Sequence, residues 1–199
     1  MKKTILILTG QYLPGFKGGG PIKSIANIVE HLGEDFKFKI MTSDRDLGDT
    51  ESYKGIKLNE WIDVQGAEVI YLDTSRQNFK EMRNIINSIE YDLMYLTGYF
   101  SHKFTLIPII LRWLKLINSK QVLLAPRGDF SEGALKNKAL KKKIFINLSK
   151  AMGLYKNINW HATTEHEKVD IERVYNNNSK ISISFQFNDH PNPFLANLS

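Results

Sequence analysis

Gly18, Gly19 and Gly20 stand directly before Pro21, between an apolar run and an amphipathic one. Three adjacent glycines put no Cβ between the backbone and an approaching ligand. Proline suits the first position of a helix. The N-terminus of such a helix presents unpaired N–H groups and a partial positive charge, which favour an anion. The chemistry on offer is binding of a phosphate or carboxylate by backbone. The spacing is neither the dinucleotide fingerprint G-x-G-x-x-G nor a Walker loop, since no lysine follows the glycines. A plain βα turn without a ligand is the competing reading.

A second cluster is basic. Lys136, Lys138, Lys141, Lys142, Lys143 and Lys150 lie within fifteen residues that carry no acid. Such a helix suits anionic lipid or nucleic acid, or is simply a solvated face. From Lys136 to Lys143 no aromatic interleaves with the lysines, as a single-strand binder requires, and nucleic acid is not among the expected partners. Asp44, Asp46 and Asp49 lack the glycine and terminal glutamate of a calcium loop. The absence of cysteine excludes disulfides and thiolate metal sites. No metal site is read in the sequence.

The elements that must position these groups alternate between strand and helix. Strands are expected at Thr4–Thr9, Phe36–Thr42, Ala67–Leu72, Asp92–Leu96, Gln121–Ala125, Ile158–Ala162 and Ile181–Phe187. Helices are expected at Pro21–Leu32, Arg76–Ile89, Phe104–Ile117, Ser131 to near Leu154, and Glu165–Tyr175. In the fourth helix Leu135, Leu140, Ile144, Phe145, Leu148 and Met152 are assigned to the core. Ser43–Gln65 is a polar excursion with an extra turn or a hairpin expected around Ile56–Trp61. Thr164 and Glu167 have capping-box spacing. The alternation predicts an α/β, Rossmann-like, doubly wound and mostly parallel sheet of about seven strands with helices on both faces, with ligands beyond the carboxyl ends of the strands.

Composition sets the outer bounds. The 199 residues are 42% hydrophobic and 24% charged, with a net charge of +6 and a pI near 9.3. That excludes a disordered chain and allows a proper core. The apolar stretch after Lys3 is only about five residues long, too short for a secretory leader. It is read as the first strand, and the protein as cytoplasmic. Phe104–Ile117 is too short to span a membrane, which takes about 20 residues, and Arg112 and Lys115 interrupt it.

Four motifs in order then resemble the N-terminal, acceptor-side domain of GT-B glycosyltransferases of family 4. They are Gly18-Gly19-Gly20-Pro21 with the following helix, Tyr95-Leu-Thr-Gly-Tyr-Phe-Ser101, Ala125-Pro-Arg-Gly128 with the basic helix after it, and His161-Ala-Thr-Thr-Glu-His-Glu167. The resemblance covers roughly residues 4 to 175. It implies the N-terminal half of a GT-B fold in residues 1–183, with 184–199 an atypical tail and the donor domain absent. Thr97 stands where the family commonly has a histidine, so that histidine's role is not carried over.

What the resemblance implies is retaining, metal-free transfer from a nucleotide-sugar co-substrate, without a bound cofactor. The acceptor is a glycan or lipid-linked glycan, as in surface polysaccharide synthesis. Gly18, Gly19 and Gly20 then supply N–H donors for the leaving diphosphate, and Arg127 and Gly128 bind phosphate or sugar. Gly98, Tyr99 and Ser101 line the acceptor side. Glu165 and Glu167 are assigned to capping. Lys136, Lys138, Lys141, Lys142 and Lys143 bring the protein to the inner face of the plasma membrane. The expected partners are a donor domain or separate donor chain, and a second copy through the face that a donor domain covers. The chain alone is expected not to transfer sugar. The alternative is a non-catalytic module that binds a glycan or a partner subunit.

Overall fold

Residues Ile5 to Leu8 are an unbroken apolar run because both faces of the sheet are covered where they lie. A computed structural model describes residues 2–118, 120–175 and 181–183. The order of elements is β1 (Lys3–Leu8), α1 (Gly20–Leu32), β2 (Phe36–Ser43), β3 (Trp61–Val64), β4 (Ala67–Leu72), α2 (Phe79–Asn87) and β5 (Leu93–Thr97). A π-helical turn (His102–Leu106) leads into α3 (Ile107–Trp113). Then come β6 (Gln121–Ala125), α4 (Glu132–Lys136), α5 (Ala139–Ala151), β7 (Asn159–Ala162), α6 (Glu165–Tyr175) and β8 (Ile181–Ile183).

The strands form one sheet in the order β3-β4-β2-β1-β5-β6-β7-β8. Every pair is parallel except β3 with β4. The fold is therefore an α/β doubly wound sheet of Rossmann type. Connections run outward from β1 in both directions, so the strand order reverses between β1 and β5. One face packs on α2, α3, α5 and α6 through Met82, Ile86, Ile109, Leu111, Ile146 and Ile171. The other packs on α1 through Ile25, Ile28, Val29 and Leu32, with Tyr53, Ile56 and Leu58 of the polar excursion beside it.

The structure departs from the expected elements at four places. An additional short strand, Trp61–Val64, pairs with Ala67–Leu72 and caps the sheet edge, so eight strands rather than about seven are present among the described residues. α2 starts at Phe79, not Arg76, because the Asp73 carboxylate accepts the N–H groups of Ser75 (2.7 Å) and Arg76 (3.1 Å) and holds them in a turn. The apolar helix opens with the π-helical turn and ends at Trp113.

The fourth is the basic helix, which is two helices. Ser131 caps the first by accepting the Ala134 N–H, but Lys138 adopts a left-handed conformation (φ 54°) and breaks the run. α5 consequently buries Ile146 and Ser149 and leaves Leu140, Ile144, Leu148 and Met152 exposed, against the expected facing, while Leu135 and Phe145 pack on the core as expected. β8 is described at Ile181–Ile183, where a strand was expected; the rest of that strand to Phe187, and the tail 184–199, lie outside the described residues.

Candidate functional site

The connections leave β1 and β5 in opposite directions where the strand order reverses, and an open cleft of about 360 Å³ lies beyond their carboxyl ends. This is the crevice in which doubly wound sheets hold ligands. Thr9, Gly10 and Gln11 line it after β1, and Gly18, Pro21 and Ile22 from the start of α1. Thr97, Gly98, Phe100 and Ser101 line it after β5, and Arg127 and Asp129 after β6, with Leu47 at the mouth.

The three glycines do different things. Gly19 is the N-cap of α1 at φ 64°, ψ −126°, a conformation that side chains resist, and its N–H is committed to the Phe16 carbonyl at 3.0 Å. Gly18 faces the cleft, and a Cβ on it would stand 3.0 Å from Ile22 Cδ1. Gly20 has open space around it and is exposed. Only Gly18 of the three lines the cleft, and the expectation that all three offer N–H donors is corrected for Gly19. No side chain caps α1 and no acid sits in its first turn. Its free N–H groups keep their partial positive charge at the rim of the cleft.

Asp46 holds that loop in place. Its Oδ2 accepts the N–H groups of Phe16 (2.7 Å) and Lys17 (3.0 Å), and its Oδ1 accepts that of Leu47 (2.8 Å). Burial opposes its ionisation, but these backbone donors outweigh burial and hold the carboxyl below its usual range. Lys17 also pairs with Asp49. From below, Tyr71 donates its hydroxyl to the Leu13 carbonyl.

On the opposite wall, Arg127 occupies the left-handed region at φ 57°. Its Nη2 donates to Tyr95 Oη at 3.0 Å, while its Nε is buried without a partner. Tyr95 Oη also lies 2.8 Å from His161 Nδ1. Burial pushes the Tyr95 phenol up, against the pull of Arg127, so it stays neutral. Tyr95 Oη thus accepts from Arg127 and shares one hydrogen bond with His161 Nδ1, whose direction follows the imidazole tautomer. Arg127 is the one cationic side chain among the described residues lining the cleft.

Asp129 is the one carboxylate among the described residues lining the cleft. Its Oδ2 accepts the Phe100 N–H at 3.1 Å. Burial raises its pKa, opposed by the N–H groups of Phe100 and Tyr99 and by Lys142. A carboxyl poised this way accepts or shares protons with hydroxyl groups. The hydroxyls of Thr97 and Thr9 are already chained, Thr97 donating to Thr9 (2.9 Å) and Thr9 to the Gln11 carbonyl (3.2 Å). With Ile22, Leu47 and Phe100 supplying apolar surface, the cleft suits a polyhydroxylated ligand bearing negative charge.

The expected site residues separate into two groups. Gly18, Gly98, Ser101 and Arg127 meet in the cleft. Tyr99 does not: it is fully buried, bonded to Ser149 Oγ (2.9 Å) and Tyr175 Oη (2.6 Å) and packed among Phe130, Tyr155 and Trp160. In a turn directly after a strand, Gly98 at φ 81° rotates the next side chain back into the core. Gly128 adjoins the cleft without lining it, and its N–H goes to Glu167 Oε1 at 2.9 Å. Glu167, read as a capping residue, also accepts from Thr163 N (2.8 Å) and Oγ1 (2.7 Å) while Thr164 caps α6.

Of the lysines, Lys136, Lys138, Lys141 and Lys143 are exposed, away from the cleft lining. Lys142 turns inward, donating to the Ala134 carbonyl at 2.7 Å with its Nζ 4.6 Å from the Phe100 ring centre, so it is corrected from a surface contact to a support of the cleft wall. Asp46 and Asp129 were not singled out as site residues by sequence reasoning. The position of Asp129 two residues after Arg127 was the available signal.

Among the described residues no group of histidine and carboxylate side chains is placed to hold a metal ion, and no helix is long and apolar enough to cross a membrane. No protein-family model matches the chain, and no curated protein matches it.

Proposed function

We propose that this domain binds the acceptor in glycosyl transfer from a nucleotide-sugar, as the acceptor-side half of a retaining GT-B glycosyltransferase. The observation that carries the reading is the cleft at the β1–β5 reversal, where the uncapped start of α1 and the Arg127 guanidinium face a hydroxyl-rich, partly apolar wall with one carboxyl. The acceptor's hydroxyls bond to Asp129, Ser101 and Gln11, and its apolar ring face lies on Phe100. The start of α1, with Gly18, faces the donor diphosphate and stabilises charge as it develops on the leaving group. A donor-binding domain closing over the cleft supplies the nucleotide site. A lipid-linked acceptor brings the protein to the inner face of the membrane. The four ordered motifs of the chain support the same reading.

The test is an amide-shift titration of the chain with short oligosaccharides and lipid-linked glycans, and separately with nucleotide-sugars. Acceptors are expected to move the amides of Gly18, Gly98 and Phe100, with Arg127→Lys weakening the effect at least about tenfold. Tight binding of nucleotide-sugar by the chain, with no response to any glycan, overturns the assignment.

A further inference from the structure

Helix α5 carries a line of apolar side chains that points away from the core. Leu140, Ile144 and Leu148 are 71%, 57% and 56% exposed, and Met152 at the C-cap is 42% exposed. Their four-residue spacing places them along one side of the helix. The line continues onto the end of α3. Trp113 Nε1 donates to the Met152 carbonyl at 3.0 Å, and Trp113 and Leu114 are themselves exposed.

Cations border this line on both sides. At helical spacing Lys141 lies about 60° to one side of Ile144 and Lys143 about 100° to the other. Both are exposed, as are Lys136, Lys138 and Lys150. Residues 133–164 contain no aspartate or glutamate. We propose that this face docks on an anionic lipid bilayer. The apolar line enters the boundary between headgroups and acyl chains, Trp113 sits at the headgroup level, and the lysines meet lipid phosphates.

The charge pattern selects the occupant. A second copy packed through a two-fold axis would bring the same lysines against one another. A nucleic acid would use the lysines but leave the apolar line in water. A bilayer with anionic headgroups engages both. The inference stands on α5 and the end of α3, and holds whether or not the cleft takes a sugar.

Co-sedimentation of the full chain with vesicles tests it, with no glycan present. The vesicles are phosphatidylcholine alone, or roughly two parts phosphatidylcholine to one of phosphatidylglycerol. Binding to the anionic vesicles is expected to be at least about tenfold stronger, and to weaken with salt. Ile144→Ser with Leu148→Ser removes the apolar line, and Lys141→Glu with Lys143→Glu reverses the border. Each pair is expected to lose at least about tenfold in partition while circular dichroism and thermal unfolding stay unchanged, because these side chains are exposed. Trp113 emission should shift to the blue on anionic vesicles, and Trp113→Phe should abolish that shift. Equal binding to both vesicle types, or unaltered binding by both double variants, overturns the proposal. So does a wild-type dimer in sedimentation equilibrium that the serine pair returns to monomer without any vesicle binding, which would give the face to a second copy.

Discussion

The Glu167 carboxylate accepts the backbone N–H of Gly128 at 2.9 Å, across 39 residues of chain. Through Thr163 the same carboxylate grips its own turn, so the loops after β6 and β7 are tied by one buried acid. Arg127 and Asp129 flank the glycine so held. The cleft wall therefore depends on a side chain outside the cleft.

Glu167→Ala is expected to destabilise the fold by about 1–2 kcal/mol, because it takes the charged acceptor from the part-buried bonds of Gly128 and Thr163. Glu167→Gln keeps an acceptor and should cost roughly half as much. Urea unfolding measures both, and equal midpoints for Glu167→Ala and the wild type would contradict the tie.

The glycine loop makes a graded prediction. Gly19→Ala forces a side chain into φ 64°, ψ −126° and should cost about 1–3 kcal/mol. Gly15→Ala should be at least as harmful, since its Cβ would stand 2.9 Å from the Tyr12 carbonyl oxygen. Gly20→Ala meets nothing within 4 Å and should be neutral or stabilising by up to about 1 kcal/mol. Thermal unfolding of the three variants checks the order.

Tyr95→Phe removes the hydroxyl shared by Arg127 and His161. The loss is expected to be about 1–3 kcal/mol of stability, with a change in the His161 ring resonances. It should also loosen Arg127, so acceptor binding should weaken more than stability alone explains. An unchanged His161 spectrum would break the assigned hydrogen-bond chain.

Two carboxyls set opposite pH dependences. Hydrogen bonds from the Ser75 hydroxyl and the Asn59 amide, outweighing burial, lower Asp73 from the ordinary 3.8 to about 2. Its stabilising effect is present above the unfolded value and is lost as pH falls through the folded one. Asp73→Asn should flatten the stability curve between about pH 4 and about pH 2. Burial raises Asp129, so its contribution is present at low pH and is lost as pH rises through its folded value. Asp129→Asn, which still offers an oxygen to Phe100, should therefore relieve that loss and be at least as stable as wild type at neutral pH. Unfolding curves across pH 2–8 measure both signs, with a fall in stability for Asp129→Asn at pH 7 contradicting the second.

Periodicity and turn chemistry were legible wherever they are properties of neighbouring residues. Ala67–Leu72, Gln121–Ala125 and Glu165–Tyr175 occupy the expected bounds, and Ser131, Thr164 and the glycines mark real boundaries. The expected location of a site beyond the carboxyl ends of the strands followed from alternation alone. β3 was missed as a strand because its four residues form only against the partner β4. The left-handed Lys138 was missed because lysine carries no signal for that conformation.

The sequence by itself determined the alternation of elements, the sheet class and the glycine loop before a helix, since each rests on contacts between residues close along the chain. Tertiary structure alone decided which faces and which partners meet. α5 carries apolar residues on two sides, with Ile146 opposing Leu140, Ile144 and Leu148, so spacing could not say which side the sheet would cover. Tyr99 turned from an expected ligand contact to a core residue because its hydroxyl finds Ser149 and Tyr175, 50 and 76 residues away. Asp129 became a cleft carboxyl because the turn after β6 lies beside the turn after β5. Such meetings are fixed by how the elements stack, which no local pattern encodes.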